Sequence, residues 1–300
     1  MFLSALCFII VIVKFVGLIS PFDPWRSRFC SCPPKLTFNP YTGCDHACVY
    51  CYASSYIPKF FFCRPKKDLI PKLEKEAVKL KGELISVANS SDPYPNLEAE
   101  LGLTRKCLEV LTKHNCKLQI ITKSTLVLRD VDLLEKKPSM VSLTITTMDD
   151  ELAKVIEPHA SLSSERLKAA EILVNKGIPT SIRIDPIIPF VNDNQENLIR
   201  TLSSIGIRHI TVSTYKVKPD NWQRLSIAMP EAAEKLKPLY FANGERIGRY
   251  VYLPKSLRLE IMEKMRLRAE KCGIKFGTCR EDLSHLNTAS CDGSWLVYSR

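Results

Sequence analysis

Glycine is scarce in this chain, 11 among 300 residues, and no repeat period runs through it, which excludes collagen-like and solenoid architectures. A disordered composition is equally absent, because 45% of the residues are hydrophobic and only 25% charged. Acidic excess is missing too. Lys and Arg number 43 against 32 Asp and Glu, a net +11, so the charge points to an anionic partner such as nucleic acid. What the chain does hold in quantity is cysteine, twelve in all. A chain of this length buries a core without covalent staples, and the cysteine spacings point away from a disulfide framework.

The amino terminus lacks the marks of a secretory leader. Sixteen of the residues from Met1 to Ile19 are apolar, interrupted by Ser4, Lys14 and Gly17. No basic stretch precedes them, and no small-residue cleavage site appears before Ser20. A spanning helix needs about 20 mainly apolar residues, so residues 1–20 read as a membrane anchor or as a leader from a mis-assigned start. Arg26, Arg28 and Lys35 would keep the rest of the chain on the cytoplasmic side, and both readings leave the body in reducing cytoplasm.

From Pro33-Pro34 onward, short β-like runs alternate with amphipathic stretches, the pattern of βα units on a parallel sheet. Strands are expected over 35–39, 84–88, 117–122, 141–147, 180–184 and 210–213. Helices are expected over 71–81, 98–114, 129–137 and 194–205. A longer one starts at Ser163 or Ser164 and stops before Gly177, with Leu167, Ala170 and Val174 as its buried stripe. Six βα units are too few for a closed eight-stranded barrel. The expected fold is an α/β partial barrel, (βα)6, over 21–215, with a helical, cysteine-containing extension over 216–300.

Between the first strand and the first long helix stands Cys44-Asp-His-Ala-Cys48-Val-Tyr-Cys51. Three thiolates within eight residues, on a loop after a strand, can serve one metal centre. A structural zinc site wants four protein ligands, so His46 would have to fold back inside the same loop. A 4Fe–4S cluster on three cysteines leaves one iron open to an exogenous ligand.

At these residues the sequence resembles the radical S-adenosylmethionine (radical SAM) superfamily, and within it the branch related to spore photoproduct lyases. The run Asn39-Pro-Tyr-Thr-Gly-Cys-Asp-His-Ala-Cys-Val-Tyr-Cys-Tyr52 is close to the cluster loop of that branch. Ser91-Asp92-Pro93-Tyr94 with Pro95 and Glu98, Thr122-Lys123-Ser124, Glu157-Pro158 and Asp185-Pro-Ile-Ile-Pro189 match it as well. The likeness covers residues 25–215. It implies a 4Fe–4S cluster on Cys44, Cys48 and Cys51, with its open iron chelated by the amino and carboxylate groups of S-adenosylmethionine (SAM). A low-potential donor of the ferredoxin or flavodoxin type would drive cleavage of the sulfonium to methionine and a 5′-deoxyadenosyl radical, which abstracts hydrogen from substrate.

The same resemblance implies cofactor-binding roles for Tyr50, along the adenine, and for Ser90, Ser91 and Asp92, towards the methionine ammonium. Most of the superfamily carries a Gly-Gly-Glu-like segment where this chain has Ser90-Ser-Asp92. Lys123, Thr146, Arg183 and Asp185 also end strands or adjoin their ends, where ligands of parallel α/β folds bind, with plain strand-end hydrogen bonding as the alternative.

Cys107 and Cys116 fall on core positions. Beyond the leader, that leaves Cys30, Cys32, Cys63, Cys272, Cys279 and Cys291, four of which could form a second cluster or metal site, with Cys279 and Cys291 alternatively candidates for catalysis as hydrogen donors. Two basic stretches, 59–81 and 249–275, each carry eight cations against three acids and could track a phosphate backbone. In the second, Leu257, Ile261 and Met265 are expected inward and Arg258, Lys264, Arg266 and Arg268 on the remaining faces. Three readings stay open: a radical SAM enzyme repairing or modifying nucleic acid, one acting on a peptide or small metabolite, and a non-enzymatic zinc-binding nucleic-acid module.

Overall fold

A computed structural model describes residues 17–22 and 29–299. Its strands fall on the short apolar and β-branched runs. They are β1 (Ser20–Pro21), β2 (Leu36–Phe38), β3 (Tyr41–Thr42), β4 (Arg64–Pro65), β5 (Leu84–Val87), β6 (Lys117–Thr122), β7 (Ser139–Thr144) and β8 (Thr180–Ile187). After them come β9 (His209–Thr214), β10 (Glu245–Ile247), β11 (Tyr250–Tyr252) and β12 (Lys275–Thr278). One sheet of eight strands runs β1-β2-β5-β6-β7-β8-β9-β12. Only the β1–β2 pair in it is antiparallel. This is the expected partial barrel with one more parallel strand than the six predicted.

Strand side chains alternate, so the pairing register sorts two sets of residues. Ser86 stands beside Gln119, Ser142 beside Ser181, Arg183 beside Thr211 and Thr211 beside Gly277. These line the inside of the open barrel. The intervening Ile85, Leu118, Ile120, Leu143, Ile182, Ile184 and Val212 are fully buried in the main core with the helices. Arg183 and Asp185 thus belong to the lumen, two residues apart on the same face.

The helices are α1 (Leu69–Ala77), α2 (Glu98–Leu101), α3 (Leu103–Leu111), α4 (Val131–Leu134) and α5 (Asp150–Ile156). There follow α6 (Ser163–Asn175), α7 (Glu196–Ser204), α8 (Pro219–Ala228), α9 (Pro230–Lys237) and α10 (Lys255–Lys271). The single helix expected over 98–114 is broken at Gly102, whose φ of +58° ends α2 in the left-handed region. In α6 the buried positions are Ser163, Arg166, Ala169, Ala170 and Leu173, whereas Leu167 and Val174 are only half-buried. The face is rotated because Arg166 turns inward to Glu157 and the Thr144 carbonyl. Arg258 in α10 is likewise buried, contrary to the solvated face expected for it. Its guanidinium donates to the carbonyls of Leu253 and Glu281 and to Glu245 at 2.9 Å.

Most of the apolar leader, residues 1–16, lies outside the described residues, and with it the expected anchor and Cys7. Residues 17–20, read as part of that leader, belong to the folded body. Leu18 and Ile19 donate their amides to Glu76, each at 2.9 Å, and Ser20–Pro21 pairs with β2. Among the described residues no helix is long and apolar enough to cross a membrane.

The stretch 216–300 is more than an appendage. It gives the sheet β12, and its segment 290–298 closes the floor of the barrel. There Trp295, Leu296 and Val297 pack on Leu84 and Met140. Above them Lys35 meets Asp292 and Gln119, Gln119 donates to the Asp292 carbonyl at 3.0 Å, and Thr211 donates to the Cys291 carbonyl at 2.9 Å. With its floor sealed, the barrel opens at the carboxyl ends of its strands.

Candidate active site

The cysteine motif stands at that open end, on a loop pinned at its neck by pairing of β3 with β4. Gly43 enters it with φ +82°, and a Cβ there would lie 2.4 Å from the Phe60 carbonyl, so only glycine fits. The same carbonyl accepts the Cys44 amide at 2.8 Å. The loop is then tied down from two sides. The Val49 amide donates to the Ile156 carbonyl at the end of α5 (3.0 Å), and the His159 ring bonds the Asp45 carbonyl (2.8 Å). From α8, Arg224 donates to the Cys51 carbonyl at 2.6 Å and the Val49 carbonyl at 3.3 Å, while Asn221 reaches the Tyr50 carbonyl at 3.1 Å. Cys44 and Cys48 are buried and Cys51 half-buried. Burial pushes all three thiols up, Cys48 to about 12 with Lys123 pulling against it. A bound cation must displace those protons.

Beside the loop lies a buried charge network. Glu157 accepts the Tyr50 hydroxyl, pairs with Arg166, and accepts Thr146 at 3.0 Å. Burial works against the Glu157 carboxylate, but Arg166 and Lys123 outweigh it and hold its pKa below the usual value. Lys123 stays charged against burial because Cys48, Glu157 and Asp92 face it, and its ammonium sits 5.6 Å from the Tyr50 ring centre.

Asp92 is fully engaged by the protein. One oxygen accepts the Tyr94 amide (2.9 Å) and the Thr122 hydroxyl (2.6 Å), the other the Lys123 amide (2.8 Å), with the His46 ring 3.6 Å away. Ser91 donates to the Tyr41 carbonyl at 3.3 Å, and Ser90 is half-buried beside it. Arg183 and Asp185 form an ion pair at 2.6 Å. The Cys279 thiol adjoins that pair, hydrogen-bonded to Arg183. Tyr50, Ser90, Ser91, Asp92, Lys123, Thr146, Arg183 and Asp185 therefore gather around the cysteine loop and the barrel mouth. Sequence reasoning passed over Arg166, Lys216 and Glu281, the last two ion-paired at 2.7 Å. The signal for them is weak, since each partner lies on a different element.

The thiols grouped as a candidate second metal site are dispersed. Cys63 lies within the influence of Asp45 and Asp92, beside the first loop, and Cys279 sits at the mouth. Cys291 contacts Cys32 at 3.2 Å, and Cys30 bonds Cys32. Among the described residues no three His, Cys, Asp or Glu side chains converge as a single ion requires. That includes the motif, where His46, bonded to the Tyr94 carbonyl at 3.2 Å, does not turn back to join the cysteines as the fourth ligand of a closed zinc site would. A four-iron cluster makes a different demand, because each thiolate binds its own iron. Three cysteines on one constrained loop, two of them buried, fit it.

Comparison with known proteins agrees. A family model, Radical SAM superfamily, matches residues 38–202. An uncharacterized protein of Methanocaldococcus jannaschii is 37% identical over 165 residues, 53% of this chain, and the chain spans only 62% of that relative. A protein of Pseudomonas phage M6 named radical SAM Nα-GlyT isomerase is 24% identical over 272 residues, 85% of this chain and 55% of that one. Among solved structures, spore photoproduct lyase complexed with dinucleoside spore photoproduct shares the fold at TM-score 0.58 and 16% identity, covering 79% of this chain and 74% of that one. With more than half of its length matched by the family model, the chain belongs to the radical SAM superfamily.

Proposed function

We propose that the protein holds a 4Fe–4S cluster on Cys44, Cys48 and Cys51, binds SAM beside it, and repairs or modifies nucleic acid. The observation that carries the reading is one constrained three-cysteine loop at the carboxyl mouth of a parallel partial barrel. When bound, and supplied with an electron by a ferredoxin- or flavodoxin-type donor, the cluster and SAM would furnish a 5′-deoxyadenosyl radical for hydrogen abstraction.

The chain's own residues have separate tasks. Arg224 and Asn221 hold the loop carbonyls so that the cysteines keep one spacing. Ser90 and Ser91 offer hydroxyl acceptors to the SAM ammonium. Asp92, both of whose oxygens are taken, positions that turn and Lys123 rather than reaching the cofactor. Tyr50 is tethered through its hydroxyl by Glu157, and the Arg183–Asp185 pair presents polar groups in the lumen. Cys279, beside the Arg183–Asp185 pair, would return a hydrogen atom to a substrate radical, its thiyl then being restored to the thiol by an electron from the same donor and a proton from solvent. Cys291, against Cys32 and below the mouth, is less suited to that task.

Residues 21–215 would thus bring the cofactors, and 216–300 the floor, the clamp on the loop and the Cys279 wall. The net charge of +11 supports a nucleic-acid substrate, as does a structural relative solved with a dinucleoside photoproduct. Anaerobically reconstituted protein should show dithionite-bleachable absorbance and release 5′-deoxyadenosine from SAM. Cys51→Ala should lose both, and a variant that cleaves SAM at the unmodified rate overturns the assignment.

A further inference from the structure

Most cations near the barrel mouth have a carboxylate partner. Arg183 has Asp185, Lys216 has Glu281, Arg224 has Asp220 and Arg258 has Glu245. Among the described residues Lys123 forms no ion pair but is faced by Glu157 and Asp92, and Lys218, Arg249 and Arg280 likewise form none. Lys218 is only 6% exposed, yet its ammonium bonds a single oxygen, Ser55 Oγ at 2.7 Å. Otherwise it faces the rings of Tyr250 (4.4 Å) and Tyr56 (5.5 Å). Arg280 lies over Tyr250 (5.1 Å) and Tyr52 (5.9 Å), and its Nε is buried with no hydrogen-bond partner. Burial lowers the Lys218 pKa; the charges of Arg249 and Arg280 add to this, and Asp220 opposes it. A buried ammonium with unused donors, beside an orphaned guanidinium nitrogen and a third cation, is arranged for an anion that the protein itself does not supply.

The elements that meet here fix where such an anion would sit. Tyr52 directly follows Cys51 of the cluster loop, and Lys218 opens α8, which clamps that loop. Tyr250 comes from the β10–β11 hairpin, tied to the exit of β9 by pairing of Val217 with Val251. Arg280 directly follows Cys279. The niche is therefore bounded by the cluster loop on one side and the Cys279 wall on the other. Its rings are flat, amphipathic surfaces of the kind on which bases stack.

We propose that Lys218, Arg249 and Arg280, set among Tyr52, Tyr56 and Tyr250, form the subsite that grips a substrate phosphate and stacks the adjoining base, presenting the next nucleotide to the barrel mouth. The proposal rests on the nucleic-acid reading above and names the residues that would carry it.

The test is fluorescence-anisotropy titration of the anaerobically reconstituted protein with a short fluorescein-labelled single-stranded oligothymidylate at several salt concentrations, with polyglutamate as competitor. Lys218→Gln and Arg280→Gln should each weaken binding about tenfold or more and lower the salt slope by about one. Tyr250→Leu should weaken it about tenfold with the slope unchanged. Thermal unfolding checks that each variant folds, and Arg249→Gln, at an exposed position, repeats the slope test without touching the interior. Tight binding with an unchanged salt slope in all three cation variants overturns the subsite while leaving the nucleic-acid reading standing. No binding by the unmodified protein overturns both, and equal displacement by polyglutamate overturns the nucleotide class.

Discussion

At the scale of single residues, the most consequential interaction in the site is the fully buried pair of Arg166 and Glu157. Two charges out of water are tolerable when they are paired with each other and further hydrogen-bonded. Here Glu157 has Tyr50, Thr146 and Arg166, and Arg166 has the Thr144 carbonyl and Ser163 as well, with its Nε left unbonded. Removing one member leaves a buried, uncompensated charge, a loss of about 3–5 kcal/mol. Arg166→Met should lower the unfolding free energy by that order in denaturant titration, and Glu157→Gln with it should recover part of the loss. The pair was hidden in the sequence. Glu157 appears there only within a matching dipeptide, and Arg166 looks like one more polar residue on a helix. Nothing local shows that Arg166 faces inward. Cys44, Cys48 and Cys51 were legible for the opposite reason, since their relation lies entirely within eight consecutive residues.

At the scale of elements, what the sequence displays well is whatever depends on neighbours. The strand Lys117–Thr122 is where its apolar pattern put it, and the six parallel strands of the expected barrel are all present. What it displays poorly is side-chain direction and termination. The Gly102 break came from backbone geometry, and the buried face of α10 from a guanidinium seeking Glu245 and two carbonyls. The β12 strand was missed because it returns to β9 from some sixty residues away. The cluster loop itself depends on one glycine. An Ala at position 43 would be strained at φ +82° and would collide with the Phe60 carbonyl, moving Cys44 off its anchor. Gly43→Ala should cost about 1 kcal/mol or more in stability. Iron content of the anaerobically purified protein should fall far more than its yield, and full iron occupancy would show that the loop tolerates the shift.

At the scale of the whole molecule, acid should loosen the barrel from below. His209 opens β9 on the lumen face, its ring packed against the floor residue Gly293 and beside the Ser290 backbone. Burial pushes its pKa down from the ordinary 6.5 to about 4. Between those values the unfolded chain takes up a proton that the folded one refuses, so stability is full above 6.5 and falls as the pH drops towards 4. The loss amounts to ~3 kcal/mol. Asp292, held down to about 2 against its burial, chiefly by Lys35, adds its own loss only below its ordinary value of 3.8. Unfolding free energies measured between pH 7 and 4 should therefore fall in the native protein. In His209→Gln that acid-dependent fall should largely disappear.

The floor segment has one more consequence, and it concerns time. Residues 290–298 seal a lumen whose walls all precede them in the chain. A growing polypeptide thus presents the thiols of Cys44, Cys48 and Cys51 long before α8 exists to clamp their loop, and the base of the barrel stays unplugged until the last of these elements leaves the ribosome. Exposure and enclosure are thus separated by the order of synthesis: the three thiols stand free before the helix that clamps their loop, and the floor beneath the lumen, are made.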